Sequence, residues 1–503
     1  MTTNISTFPP ESVSAGPFRI QHYAPSIFTD AARQAKIQVL FPEIEGMYQA
    51  YADKHHFPGY AYGVMVDGKL AHSGGGGFID LDKKIPATPQ SIFRIASMTK
   101  SFTAMAIIAL RDEGLLTLDD LVSFYIPVMQ NWKLTEDSPE LTIRDLVIHS
   151  AGLPNDDPWA DRELDRTDEE LIALLTKGIS FSRVTGIHYE YSNLGYTILG
   201  YIIKQVTGMS YGKYISEKIC QPLGMDKVYW DFTNVPESQL AHGYKWIDGI
   251  WKEEQLLPDG IYGAMGGMLT SIQAFSQYAG WHQSAWPPRN DVETGPVKRS
   301  SVREAHQPCK LNLETTHSND QSLNQTKGYG YGLRWMRDSQ GKVFLGHGGG
   351  LPGFGSNWHI MPDYGIGVIL FANVTYAPTY EVNKDVLEKL VAGAQLLPRQ
   401  LPPSHLLQEK QKALVELLPA WENAEKKGLF ASNFFLDYSI DALRKETNDL
   451  YAKAGKVLSM GNLFPENQLS GYFIMKCENA DLRVSFSLTP ENPPLVQQLQ
   501  IRI

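Results

Sequence analysis

Cysteine is scarce in this 503-residue chain: Cys220, Cys309 and Cys477 are far apart, odd in number and in no metal-ligand spacing. That excludes a disulfide framework and a zinc module, and nothing in the sequence calls for a metal or other cofactor. Long apolar runs are absent as well. The longest, Ala104 to Leu110, falls far short of the ~20 residues of a membrane-spanning helix. Dense Lys/Arg runs are missing, and a net charge of −10 argues against nucleic acid or an anionic membrane as partner. The polar N-terminus MTTNISTFPPESVSAGPF has neither a basic nor an apolar leader segment. The expectation is a cytoplasmic protein, or an exported one if a signal peptide has been removed. Small or amphipathic substrates remain open, and no feature specifies an oligomeric state.

The composition, 43% apolar and 20% charged, suits a globular chain of two or three domains. Residues 1–35 read as a period-free N-terminal arm. Pro42 suits a helix start, with Ile44, Met47, Tyr48 and Tyr51 on one face. Tyr60–Val66, the turn Asp67-Gly68 and Lys69–Ser73 read as a hairpin, which the run Gly74–Gly77 is expected to end. Ile95–Leu116 reads as helical, with Phe102, Met105, Ala106, Ile107, Ile108 and Ala109 apolar nearly all round, the pattern of a buried helix that Gly114 ends. Residues 117–280 hold further helices, and the polar stretch 284–326 reads as a surface excursion. Strand signals return at Lys342–Leu345, Ser356–Met361 and Ile366–Val374.

Strands at both ends of 36–395 with helices between imply one antiparallel sheet built from both ends, with an inserted helical region: an α/β chain of the α+β type. Residues 396–427 read as linker and helix (Glu409–Lys427). Residues 428–503 read as a small C-terminal α+β domain, with alternation in Leu482–Leu488 and Val496–Ile503.

Three segments carry chemistry. Ser97-Met-Thr-Lys100 opens the buried helix, so the amine returns to the face of the serine oxygen. Burial would lower the amine pKa toward that of a base, which activates the hydroxyl as a nucleophile. Ser-x-x-Lys also occurs at Ser210/Lys213 and Ser339/Lys342, but only the first opens a long apolar helix. Tyr191-Ser192-Asn193 is the only Tyr-x-Asn among 24 tyrosines. A phenol near cations loses its proton more easily, and the amide offers substrate contacts or a helix cap. His347-Gly348-Gly349-Gly350 ends a strand along which a substrate could lie. The backbone N–H groups of Gly350 and Ser97 could hold an oxyanion. His149 and Ser150 read as a structural turn.

In this order the motifs resemble the serine β-lactamase-like superfamily: class C β-lactamases, D-Ala-D-Ala carboxypeptidases, D-aminopeptidases and related esterases. Phe57-Pro58-Gly59, Phe93-Arg94-Ile95-Ala96, Leu141-Thr-Ile-Arg-Asp-Leu146, His149-Ser-Ala-Gly-Leu-Pro154 and Gln221-Pro-Leu-Gly-Met225 look like its landmarks. The resemblance implies a serine hydrolase in which Ser97 is acylated, Lys100 and Tyr191 share general acid–base work, and Asn193 with the His347 strand binds substrate. The β-lactamases carry a lysine where this chain has His347. Loss of that permanent cation shifts the expectation from β-lactams to ester or peptide substrates. No class A glutamate motif is present, so a deacylating water would depend on Tyr191 and Lys100. Asn433-Phe-Phe-Leu436 and Leu488-Thr-Pro-Glu-Asn-Pro-Pro494 resemble a cystatin/NTF2-like module. Alternatives are an acyltransferase, or a ligand sensor or scaffold that keeps the fold with little turnover.

Overall fold

The computed structural model describes residues 23–312 and 325–503. They divide into two compact units, Asp30–Pro398 and a second made of residues 23–29 with Arg399–Ile503. Among the described residues no helix is long and apolar enough to cross a membrane.

The larger unit is organised by a nine-stranded sheet drawn from both ends of its sequence. Gly59–Val66 pairs on one side with Lys69–Asp80 and on the other with Ile366–Ala372, from Tyr60 opposite Ala372 to Val66 opposite Ile366. Phe354–Met361, Val343–Leu351, Arg334–Arg337, Thr326–Tyr329 and Lys310–Leu311 follow in that spatial order, every pair antiparallel. Alternation along the central strands splits the core in two. Tyr60, Tyr62, Val64, Val368 and Leu370 pack with the helices Phe41–Lys54 and Tyr380–Gly393. Ala61, Met65, Ile369 and Phe371 pack beneath Thr99–Asp112 and Ile272–Ser284. Covered on both faces, the central strands are buried at every position.

The hairpin turn is the expected one, with Asp67 and Gly68 both at positive φ (50° and 78°), as a two-residue turn matching strand twist requires. The glycine run does not end its strand, which continues to Asp80. It lets neighbours approach: a Cβ at Gly74 would lie 2.6 Å from the Tyr62 hydroxyl oxygen. Gly77 has φ +68°, and a Cβ there would run into the Pro58 carbonyl. The stretch 284–326 is more ordered than its polarity suggests. It holds the helix Arg299–Ala305 and the strand Lys310–Leu311, anchored by buried Val297, Val302 and His306; residues 313–324 of it lie outside the described part. Of the N-terminal arm, residues 1–22 lie outside it too. Ile27 bridges to Gln400, and a first helix already forms at Arg33–Gln38.

In the second unit the expected helix runs His405–Leu417 and not on to Lys427, because Leu418 turns extended ahead of Pro419. It packs with the helix Ile440–Ala454 on a four-stranded antiparallel meander, Val457–Pro465, Ser470–Cys477, Leu482–Leu488 and Val496–Arg502. The linker helix thus belongs to the same unit as the C-terminal strands.

Two glycines should separate in urea unfolding. Gly46 sits in the helix Phe41–Lys54 with open space at its Cβ position. Gly46→Ala should therefore gain about 0.5–1 kcal/mol through unfolded-state entropy. Gly77→Ala should lose about 2 kcal/mol or more, from left-handed backbone and a backbone collision together.

Candidate active site

Ser97 lies on a single 3₁₀ turn, Ala96–Met98, that feeds the buried helix Thr99–Asp112. Ala96 is held at φ +49°, a conformation alanine adopts at a cost of about 1–2 kcal/mol. The surroundings fix that turn. Ser356 donates its hydroxyl to the Ile95 carbonyl at 2.7 Å, and the Ile95 N–H reaches the Met268 carbonyl at 3.0 Å. Buried Arg94 donates to the Gly267 and Leu257 carbonyls at 2.6 and 2.5 Å. Strand Val343–Leu351 passes so close that a Cβ on Gly349 would lie 2.6 Å from Ser356 Oγ and 2.9 Å from Ala96 Cβ. Glycine at 349 is a packing requirement of the Ser97 turn.

One helical turn on, Lys100 is fully buried and its amine has three partners: Ser97 Oγ at 3.0 Å, Asn193 Oδ1 at 2.6 Å and the Met265 carbonyl at 2.8 Å. Burial pushes its pKa down to about 8 against the opposing fields of Asp157, Asp161 and Asp156. Three acceptors satisfy the ammonium. In the neutral amine, two N–H groups still serve Asn193 and Met265, and the lone pair is left for the Ser97 hydroxyl proton.

Asn193 is the first residue of the helix Asn193–Thr207, capped by Ser192, whose Oγ takes the Gly195 N–H at 3.1 Å. Asp156 accepts from the N–H groups of Asn193 and Leu194 and from the Ser192 hydroxyl. A carboxylate at a helix N-terminus is favourably placed. Here it also fixes the amide that holds Lys100. Asn193 is buried, with Oδ1 given to the amine and Nδ2 to the Trp159 carbonyl at 3.4 Å. It does not line the cavity, which differs from the expected substrate contact.

Tyr191 is buried beside the serine. The Lys100 amine lies 4.8 Å from its ring centroid, and the Arg334 guanidinium 5.3 Å. Burial nevertheless drives the phenol well above its ordinary pKa; Tyr329 and Asp157 add to this, while Arg334 and a hydrogen bond with Ser97 oppose it. The cations do not win. The phenol is a proton donor at neutral pH, contrary to the expectation that it loses its proton easily. His149 accepts the Ser192 N–H at Nδ1 (3.1 Å) and packs on the Tyr191 ring at 4.5 Å, a structural role beside the phenol.

His347 is fully buried. Its Nε2 meets the Tyr329 hydroxyl at 3.0 Å and its Nδ1 the Gly348 carbonyl at 2.5 Å. A carbonyl only accepts, so Nδ1 carries the proton and Nε2 accepts from Tyr329. Burial, then the charges of Arg334 and Lys100, holds the imidazole neutral. Its side chain is absent from the cavity wall. The ring packs instead against Tyr329 and Tyr191. Gly348, Gly349 and Gly350 do line the cavity, of about 640 Å³, together with Ser97, Tyr191 and Arg334. Arg334, Asp156 and the Met265 carbonyl are the parts the sequence did not reveal. A lone Arg on a short strand has no motif, and a carbonyl has no side-chain signature.

The β-lactamase family model matches residues 44–393, more than half of the chain. This chain belongs to the β-lactamase family. Among curated relatives of this β-lactamase-family chain, Protein flp of Staphylococcus aureus (strain COL) is 28% identical over 67% of the chain. The chain spans 64% of that relative's length. Penicillin-binding protein 4* of Bacillus subtilis is 25% identical, covering 67% of the chain and 73% of the relative. In fold, the octameric penicillin-binding protein homologue from Pyrococcus abyssi superposes with TM-score 0.57 at 23% identity, over 92% of this chain and 99% of that one. The D-stereospecific amidohydrolase from Streptomyces sp. gives 0.53 at 22%, over 72% and 98%.

Burial of neutral imidazoles in this β-lactamase-family chain sets its acid stability. His149, His282 and His347 are pushed well below their ordinary pKa by burial, and His306 and His359 to about 3. Below about pH 6.5 the unfolded chain binds protons that the folded one does not. Stability should thus be fully present above that pH and fall by about 1.4 kcal/mol per pH unit per imidazole beneath it. Urea midpoints from pH 8 to 5 should show this steep loss, and His347→Gln should make it shallower.

Proposed function

We propose that the protein is a serine acyl hydrolase acting on small amides or esters through a covalent Ser97 intermediate. The observation that carries this reading is the fully buried Lys100 amine, 3.0 Å from Ser97 Oγ and with its pKa lowered to about 8. An amine so held takes the hydroxyl proton while staying hydrogen-bonded to Asn193 and Met265. Ser97 Oγ then attacks the substrate carbonyl carbon. The N–H groups of Gly350 and Ser97 are the donors offered to the oxyanion, a contribution of about 3 kcal/mol each. Collapse of the tetrahedral intermediate breaks the C–N or C–O bond, and the leaving group takes a proton from the Tyr191 hydroxyl, which Lys100 re-supplies. Water attacks the acyl-enzyme, gives its proton back along the same route, and releases the acid and free Ser97.

Asn193 acts in this scheme as a positioning residue for Lys100. Substrate contact falls to the glycine strand and to Arg334. Where β-lactamases carry a lysine, this chain buries a neutral histidine, and Arg334 supplies a cation to the cavity. Arg334 makes no ion pair with any described residue, which supports a leaving group that bears a carboxylate and therefore peptide-like amides over simple esters.

A fluorophosphonate probe should add one label per chain, on Ser97, and Ser97→Ala should abolish it. Turnover of a carboxylate-bearing amide should rise with pH through about 8, as Lys100 loses its proton. Lys100→Arg, which cannot deprotonate, should lower kcat/KM about 10³-fold. Arg334→Gln should raise KM for that substrate with a smaller change in kcat. Labelling that persists in Ser97→Ala would refute the reading.

A further inference from the structure

Three carboxylates stand within electrostatic reach of Lys100, and two are already committed. Asp156 caps the helix Asn193–Thr207 with three donors, and Asp161, buried, accepts the Tyr376 hydroxyl at 2.9 Å. Asp157 differs. It is exposed, it lines the Ser97 cavity, and its carboxylate takes no hydrogen bond and no ion pair from any described residue. The other charges on the cavity wall are Arg334 and Lys327 from the sheet edge, and Glu381, which is tied to the Tyr51 hydroxyl at 3.5 Å. The wall is thus polarised: cations on the sheet-edge strands, and one uncommitted carboxylate on the loop that follows His149-Ser-Ala-Gly-Leu-Pro154.

Resting on the acyl-hydrolase reading above, the geometry points to Asp157 as the specificity residue that receives a free ammonium group of the substrate, so that the preferred substrates are small peptides with an unblocked amine. A carboxylate facing a site from which substrate displaces water is costly to leave unpaired, and an ammonium satisfies it where an N-acylated amine cannot. Sites built around such a group reject analogues that lack its partner. The cavity of about 640 Å³ holds a ligand of this size.

The placement has a second consequence. Among the charges acting on Lys100, that of Asp157 does most to keep the amine protonated. A substrate ammonium at Asp157 screens that field and favours the neutral, basic amine. Productive binding and activation of the base are thereby coupled.

The experiment uses the 503-residue chain with alanyl-alanine of each hand and the N-acetylated counterparts, in wild type and Asp157→Asn, beside fluorophosphonate labelling of Ser97. Wild type should prefer the free amine by tenfold or more in kcat/KM for the accepted enantiomer. Asp157→Asn should cut that preference below threefold, and the pH midpoint of kcat should lie lower for the free-amine substrate than for the acetylated one. Turnover and labelling with a wild-type preference under tenfold, or with a preference that survives in Asp157→Asn, would overturn the assignment and leave the hydrolase reading standing. Absence of both turnover and Ser97 labelling would overturn the hydrolase reading and this inference with it.

Discussion

A primary amine with no exposure to solvent is the constraint around which the larger unit is arranged. Among the described residues Lys100 reaches three oxygens, and each comes from a different part of the chain: the turn before its own helix, the start of the helix Asn193–Thr207, and the short helix Gly263–Gly266. Burying an ammonium without such partners would cost several kcal/mol. The three elements are therefore held in register by the cation they share. Its proton is only weakly kept, and that connects the packing to chemistry.

The sheet supplies the fixed frame. Its N-terminal hairpin and its last strand lie side by side, so the two ends of the larger unit's sequence are joined and the helical region between them must return to the sheet at a set place. The return is tight. Ser356 grips the Ile95 carbonyl, and Gly349 leaves the Ser97 turn no room for a side chain on the strand. Positive φ at Ala96 is strain stored in the Ser97 turn and held there by these contacts.

Much of this was legible in the sequence because it rests on local pattern. Strand-forming residues bounded by turn signals mark the central strands, the apolar run Ala104–Leu110 marks the buried helix, and Asp67-Gly68 marks the hairpin turn. Motif and order single out Ser97, Lys100 and Tyr191, and the structure brings the three together. The rest depended on tertiary context. The sequence suggests substrate contacts for Asn193 and His347, because residue type reveals available chemistry but not the direction in which a side chain points. Both are buried, one against the amine and the other against Tyr329. Cationic neighbours alone would make Tyr191 titrate easily; its depth of burial, which no sequence spacing reports, outweighs them. Arg334, on a four-residue strand with no motif, carries the charge that His347 lacks.

The measurement closest to the central claim is a pH titration of the lysine side chains by NMR of protein labelled at lysine Cε. One resonance, missing from Lys100→Arg, should titrate near pH 8 while the exposed lysines stay near their ordinary value of about 10.4. A Lys100 resonance that holds its proton above pH 10 would contradict the account, since an amine that basic could not serve Ser97 at neutral pH.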